Sequence, residues 1–136
     1  MKNTYKPLKG ISDLSFGMTR EEVRQSLNDK YTVIKRNEFA ENTSDYYEER
    51  GFFVEYDEND ICVGIEFTDS GNIHLDEVDL FTINFSELVN KYNKLSSNIE
   101  VEDEIGVTYH DLGFSATRKY DSDEIESILI FSKDYW

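Results

Sequence analysis

The stretch GFFVEYDENDICVGIEF, Gly51 to Phe67, alternates apolar and polar side chains on both sides of an acidic tip. Phe52, Val54 and Tyr56 recur at period two, and so do Ile61, Val63, Ile65 and Phe67. Successive side chains of a strand point to opposite faces, so this pattern predicts two half-buried strands. Asp57-Glu58-Asn59-Asp60 between them predicts the four-residue loop of a β-hairpin. A second stretch, GFSATRKYDSDEIESILIF from Gly113 to Phe131, follows the same plan.

Working outward, each hairpin follows a helix start. Thr19 and Glu22 have the spacing of a capping box, with Met18 and Val23 at the hydrophobic-staple positions. Val23 and Leu27 then share a face of a helix that ends near Asn28-Asp29. Asn84 with Glu87, and Ile83 with Leu88, repeat both signals, and Leu88, Tyr92 and Leu95 form an i, i+4, i+7 stripe. Strands are expected at Tyr31 to Arg36, Ile73 to Leu75, Ile99 to Val101 and Val107 to Tyr109. Residues 37–45 are expected as a loop, and Tyr46 to Arg50 as the lead into the hairpin. Leu8, Ile11, Leu14 and Phe16 can anchor the N-terminal lead, and Tyr135-Trp136 is expected to fold back onto the sheet.

The two halves can be set in register. Met18, Thr19, Glu22, Val23 and Leu27 match Ile83, Asn84, Glu87, Leu88 and Tyr92 at an offset of 65. Tyr47, Gly51 and Phe52 match Tyr109, Gly113 and Phe114 at 62, and Tyr56-Asp57, Ile61 and Phe67 match Tyr120-Asp121, Ile125 and Phe131 at 64. A helix stripe and a sheet face from one unit alone would bury poorly, so the units should share a core. The expected fold is α+β: one antiparallel sheet with two helices on one face, built from two helix–strand–hairpin half-repeats. They span about residues 10–68 and 78–136 of a single domain. The competing explanation is that short α+β segments resemble one another by chance.

A chain of 136 residues can bury a core, and 14% aromatics argue for a folded domain rather than a disordered one. The one proline, Pro7, marks no internal linker. There are 29 acidic residues against 14 basic, a net charge of -15, and the charge is uneven. Residues 1–36 hold eight Lys/Arg and four Asp/Glu; residues 37–136 hold six and 25, a balance of -19. Such a surface repels nucleic acid and anionic membranes and attracts cations or basic proteins. The plainer account is that the acids only solubilise the chain. The lone Cys62 has no internal partner, and its strand position makes it an inert, semi-buried thiol. MKNTYKPLKG lacks the apolar core of a signal peptide and no run reaches a membrane span, so a cytoplasmic protein is expected.

Catalytic signatures are sparse. His74 and His110 each have an acid nearby (Asp76, Asp111), but no HExxH, CxxC or paired-histidine motif accompanies them. Asp57-x-Asn59 and Asp121-x-Asp123 lack the glycine and glutamate of a calcium loop. No GxxxxGK[ST] or GxGxxG occurs. The expectation is no catalytic residue, no metal ligand and no cofactor. The open alternatives are a small metal-dependent hydrolase using His74 or His110, and a non-catalytic adaptor.

What stands out is acid interleaved with tyrosine, a combination suited to basic proteins because aromatics anchor and carboxylates pair with Lys or Arg. The residues expected to bind a partner are Tyr46, Tyr47, Glu48 and Glu49, then Asp57, Glu58 and Asp60, with Asp121, Asp123 and Glu124 as the echo patch. The segment ISDLSFGMTREEV, Ile11 to Val23, resembles an opening found in small acidic α+β immunity proteins of bacterial polymorphic-toxin and contact-dependent growth-inhibition systems. Its Gly-Met-Thr helix start is also similar to that of small outer-membrane assembly lipoproteins. The immunity resemblance implies a cytoplasmic inhibitor that binds a cognate toxin domain, often a basic nuclease, and occludes its active site or substrate groove. It implies no nucleic-acid or membrane partner.

Overall fold

The computed structural model describes residues 2–136. The lead forms β1 (Gly10–Ile11) and β2 (Leu14–Ser15), which feed α1 (Arg20–Leu27). Then come β3 (Thr32–Ile34), β4 (Ser44–Tyr47), β5 (Phe52–Tyr56) and β6 (Cys62–Thr68). A small hairpin, β7 (His74–Leu75) with β8 (Val78–Asp79), leads to α2 (Phe85–Tyr92). The chain closes with β9 (Ile99–Glu102), β10 (Gly106–Tyr109), β11 (Phe114–Arg118) and β12 (Ile125–Phe131). The fold is α+β, with a large antiparallel sheet and two helices. None of the described helices is long and apolar enough to cross a membrane.

Local chemistry sets the helix ends. The Thr19 hydroxyl accepts from the Glu22 N–H and the Glu22 carboxylate accepts from the Thr19 N–H, so two otherwise orphaned donors are satisfied reciprocally. Asn28 ends α1 in the left-handed region at φ 46°. At α2 the Asn84 side chain accepts from the Glu87 N–H, but among the described residues no bond returns from Glu87, so the expected second box is made in one direction only. That helix stops at Tyr92, which leaves Leu95 59% exposed and outside the expected stripe.

Eight strands form one sheet in the order β3-β4-β5-β6-β12-β11-β10-β9, antiparallel throughout. Each helix is followed by four of these strands, and the two sets meet where β6 pairs β12, from Thr68↔Ser127 to Gly64↔Phe131. One face is buried. Its rows run Tyr47, Phe52, Phe67, Ile128, Ala116 and Val54, Ile65, Ile130, Phe114, Tyr109, and each of these is at most 1% exposed. Val23 and Leu27 of α1 and Leu88 and Tyr92 of α2 belong to the same core cluster. Each fully buried Phe contributes roughly 1.5–3 kcal/mol of hydrophobic stabilisation. The opposite face carries the row Thr32, Tyr46, Phe53, Glu66, Leu129, Ser115, Thr108, Glu100, and none of these is buried.

Two expectations need correction. The expected loop and hairpin lead contain a strand, β4, whose Ser44 and Asp45 are buried. In addition, Phe67 pairs Phe52 whereas Ile130, not Phe131, pairs Phe114. The matches of Phe67 to Phe131 and of Ile61 to Ile125 are therefore one residue out, and that of Tyr56 to Tyr120 is two out, because Arg118, paired with Ile125, stands where Tyr56 pairs Cys62. A one-residue slip moves a side chain to the other face, and Phe131 indeed lies away from the core row.

Candidate functional site

The first acidic tip is a folded device as well as a charged surface. Asp57 Oδ1 accepts from the N–H groups of Asn59 and Ile61, at 2.9 and 3.0 Å, and so closes the turn. Asp60, at φ 60°, accepts the Arg20 N–H on its carbonyl at 2.9 Å. Its carboxylate takes Asn42 Nδ2 at 2.6 Å and Arg20 Nε at 3.2 Å, and the Asn42 bond in particular holds its pKa below the usual aspartate value. Only Glu58 of the three expected tip residues stands exposed without such a bond.

The second tip docks in the same manner. The Asp123 carbonyl accepts the Phe85 N–H at 2.7 Å, and its carboxylate accepts the Ser86 N–H and hydroxyl at 3.1 and 2.9 Å. Glu124 pairs with Lys119 at 3.3 Å, and Asp121 is exposed at φ 53°. Each tip therefore places acceptors on the first turn of a helix, where N–H groups lack partners.

The sheet separates the expected binding residues. β6 and β12 run antiparallel, so the tips that precede them lie at opposite ends. Glu48 and Glu49, exposed in the β4–β5 turn, share an end with Asp121, Asp123 and Glu124, while Asp57, Glu58 and Asp60 occupy the other. Tyr46 lies on the open face, its ring stacked on Phe53 at 4.4 Å. Tyr47 is corrected to a core residue: it is fully buried, in ring contact with Tyr31 and Phe52.

The C-terminal tail covers part of the open face, as expected. The Tyr135 hydroxyl donates to Glu55 Oε2 at 2.9 Å, and its ring lies so close to Gly64 that a Cβ there would sit 2.8 Å from it. Trp136 packs edge-on against Phe131, Tyr135 and His110. Burial pushes the Glu55 carboxyl above the usual glutamate range, and the Tyr135 bond only partly offsets it. Beside the tail, Arg36 lies 4.0 Å over the Phe53 ring and pairs with Glu66 at 3.2 Å. A pocket of about 440 Å³ opens there, walled by Arg36, Glu41, Glu55, Asp57 and Tyr135.

The strongest electrostatic cluster escapes sequence reasoning. Asp45, fully buried, accepts from Arg24 Nε and Nη2 at 2.8 and 2.9 Å, from Arg20 Nη1 at 3.1 Å and from the Tyr56 hydroxyl at 3.3 Å. The Arg20 guanidinium stacks on Tyr56 and that of Arg24 on Tyr31. The one available signal is Arg20 and Arg24 at i, i+4 on a helix whose buried face otherwise holds only Val23 and Leu27.

The two histidines have different surroundings. His74 Nδ1 is buried without a partner among the described residues, and His110 Nε2 meets Glu100 at 2.7 Å. Among the described residues no group of three or more His, Cys, Asp or Glu is arranged to hold a metal ion. Burial pushes the Cys62 thiol up to about 12, which makes it a poor nucleophile. Comparison with protein-family models, curated proteins and solved structures finds no match to this chain.

Proposed function

We propose that this chain is a non-catalytic inhibitor of the bacterial immunity type, acting in the cytoplasm on a basic toxin domain such as a nuclease. The observation that carries the reading is the disposition of exposed acid. Glu58 at one end of the sheet and Glu48, Glu49 and Asp121 at the other are exposed and flank a face bearing Tyr46 and Phe53. Acids spread around an aromatic face steer and seat a basic partner, because complementary charge speeds encounter and aromatics supply buried area. Inhibition would follow from covering the partner's active site or substrate groove.

The same proposal includes the finer architecture: two helix–strand–hairpin units, each with its helix over the buried face. Supporting it, α1 spans eight residues and α2 eight more at an offset of 65, and each tip offers a carbonyl, that of Asp60 or Asp123, to the first N–H of the helix that precedes it, Arg20 or Phe85. Gly51 and Gly113 have equal φ, 72°, at an offset of 62.

The reading is tested by co-expression. A basic domain encoded beside this chain should arrest growth alone, and the chain should relieve the arrest and co-purify with it. Reversing Glu48, Glu49 and Glu58 to lysine, none of which holds the fold together, should slow association about tenfold or more at low salt. Unchanged association in that triple variant, or no relief of arrest, rejects the proposal.

A further inference from the structure

The two edges of the sheet differ. β9 has one neighbour, β10, and the bonds to Asn98 and Glu102 at its ends set the alternation of the ladder. The backbone N–H and C=O groups of Ile99 and Val101 therefore face outward, unpaired by any strand. The side chains on this edge alternate as well. Ile99 and Val101, 38% and 68% exposed, lie on the side of α2, and Glu100 and Glu102 on the open side. Behind Val101 a pocket of about 290 Å³ opens between α2 and β10, with Phe85, Val89, Ile105 and Val107 among its walls.

We propose that the β9 edge and this pocket receive an extended segment of a protein partner, in which apolar residues alternate with lysine or arginine. The inference rests on the reading of a basic partner given above and says where and how it docks. A ninth strand would satisfy the outward backbone groups. Its period of two would send alternate side chains into the pocket and the others toward Glu100 and Glu102. The alternation Ile-Glu-Val-Glu of β9 thus dictates apolar–basic alternation in its occupant. The other edge, β3, does not suit such a segment: Lys30 and Lys35 flank it, and Tyr31, just before it, already packs against Arg24 and Tyr47. Two copies joined through β9 alone would set carboxylate against carboxylate.

The probe is a capped ten-residue peptide alternating lysine and valine, titrated at low salt into the isotope-labelled full chain and followed by NMR. Amide shifts should concentrate at Ile99, Val101, Ile105 and Val89. The double variant Glu100→Lys/Glu102→Lys, checked for folding by circular dichroism, should bind the peptide about tenfold or more weakly. The Glu58→Lys variant should bind it unchanged. Shifts centred on residues 57–60 or 121–124 would overturn the proposal, and so would unchanged affinity in the double variant. Concentration-dependent shifts at both β3 and β9 without peptide would replace the partner with a second copy and also overturn it. If the peptide fails at β9 while growth arrest is still relieved, the docking site is wrong and the inhibitor reading stands. If it binds at β9 but no arrest is relieved, the reverse holds.

Discussion

The space between helix and outer strands is filled differently in the two proposed units. At the offsets of 65 for the helices and 62 for β4–β5 against β10–β11, Arg20, Arg24, Asp45 and Tyr56 correspond to Phe85, Val89, Val107 and Arg118. The first unit closes the space with a buried carboxylate held by two guanidiniums and a phenol. The second leaves a pocket beside β9, whose walls include all four of the corresponding residues, Phe85, Val89, Val107 and Arg118. Removing charge from water is costly, so the cluster need not add net stability over an apolar filling.

The sharpest way to break this comparison is at Asp45. Asp45→Val alone should cost about 3 kcal/mol in denaturant unfolding, because Arg24, its side chain 29% exposed, loses the carboxylate that takes its Nε and Nη2, and Arg20, 11% exposed, is left with Asp60 as its ion-pair partner. The triple variant Arg20→Phe/Arg24→Val/Asp45→Val, which writes the second unit's residues into the first, should recover most of that loss. A triple variant as unstable as the single one would show that the units are not interchangeable.

The matched glycines come next. Both have φ 72°, where a β-carbon is strained, so Gly51→Ala and Gly113→Ala should each cost at least about 1 kcal/mol. The surroundings rank them. A Cβ at Gly51 would meet the Gly71 backbone nitrogen at 2.3 Å, whereas at Gly113 it would meet the side chains of Tyr5 and Leu8. Gly51→Ala should therefore be the more damaging, and equal melting temperatures would contradict that ranking.

The smallest effect concerns Glu55, whose folded pKa is raised by burial. A folded state that holds this proton more tightly than the unfolded chain loses stability as pH rises from the ordinary value of 4.5 through the raised one. Glu55→Gln keeps an acceptor for Tyr135 and removes the titration. Its stability relative to the parent should therefore improve from about pH 4.5 upward, by a pH-dependent shift in denaturation midpoint. A constant difference across that range would exclude the cause.

Much of the fold is legible because it is local. Period-two alternation marks β5, β6 and β12, and side chains three residues apart mark the start of both helices. β4 is hidden because Ser44 and Asp45 read as loop residues, and only tertiary pairing with Arg20 and Arg24 makes the burial of Asp45 tolerable. The register slip at Phe131 has a similar origin: two adjacent apolar residues, Ile130 and Phe131, both fit a strand, and only the tail over the open face explains the second. Of the expected binding residues, Tyr47 cannot be told from Tyr46 in sequence, since adjacent strand residues face opposite ways. The carboxylates of Asp57, Asp60 and Asp123 read as surface charge, yet Asp57 closes its own turn and the other two bind the first residues of α1 and α2.

The tail has a practical consequence. Trp136 is the only tryptophan in the chain and lies against His110, Phe131 and Tyr135 while 67% exposed. Its ultraviolet emission is therefore an intrinsic probe of one event, the seating of the last residues on the open face. In Tyr135→Ala that emission should move toward the spectrum of free indole in water while the β-sheet circular dichroism stays in place. A partner that displaces the tail would announce itself with no added label.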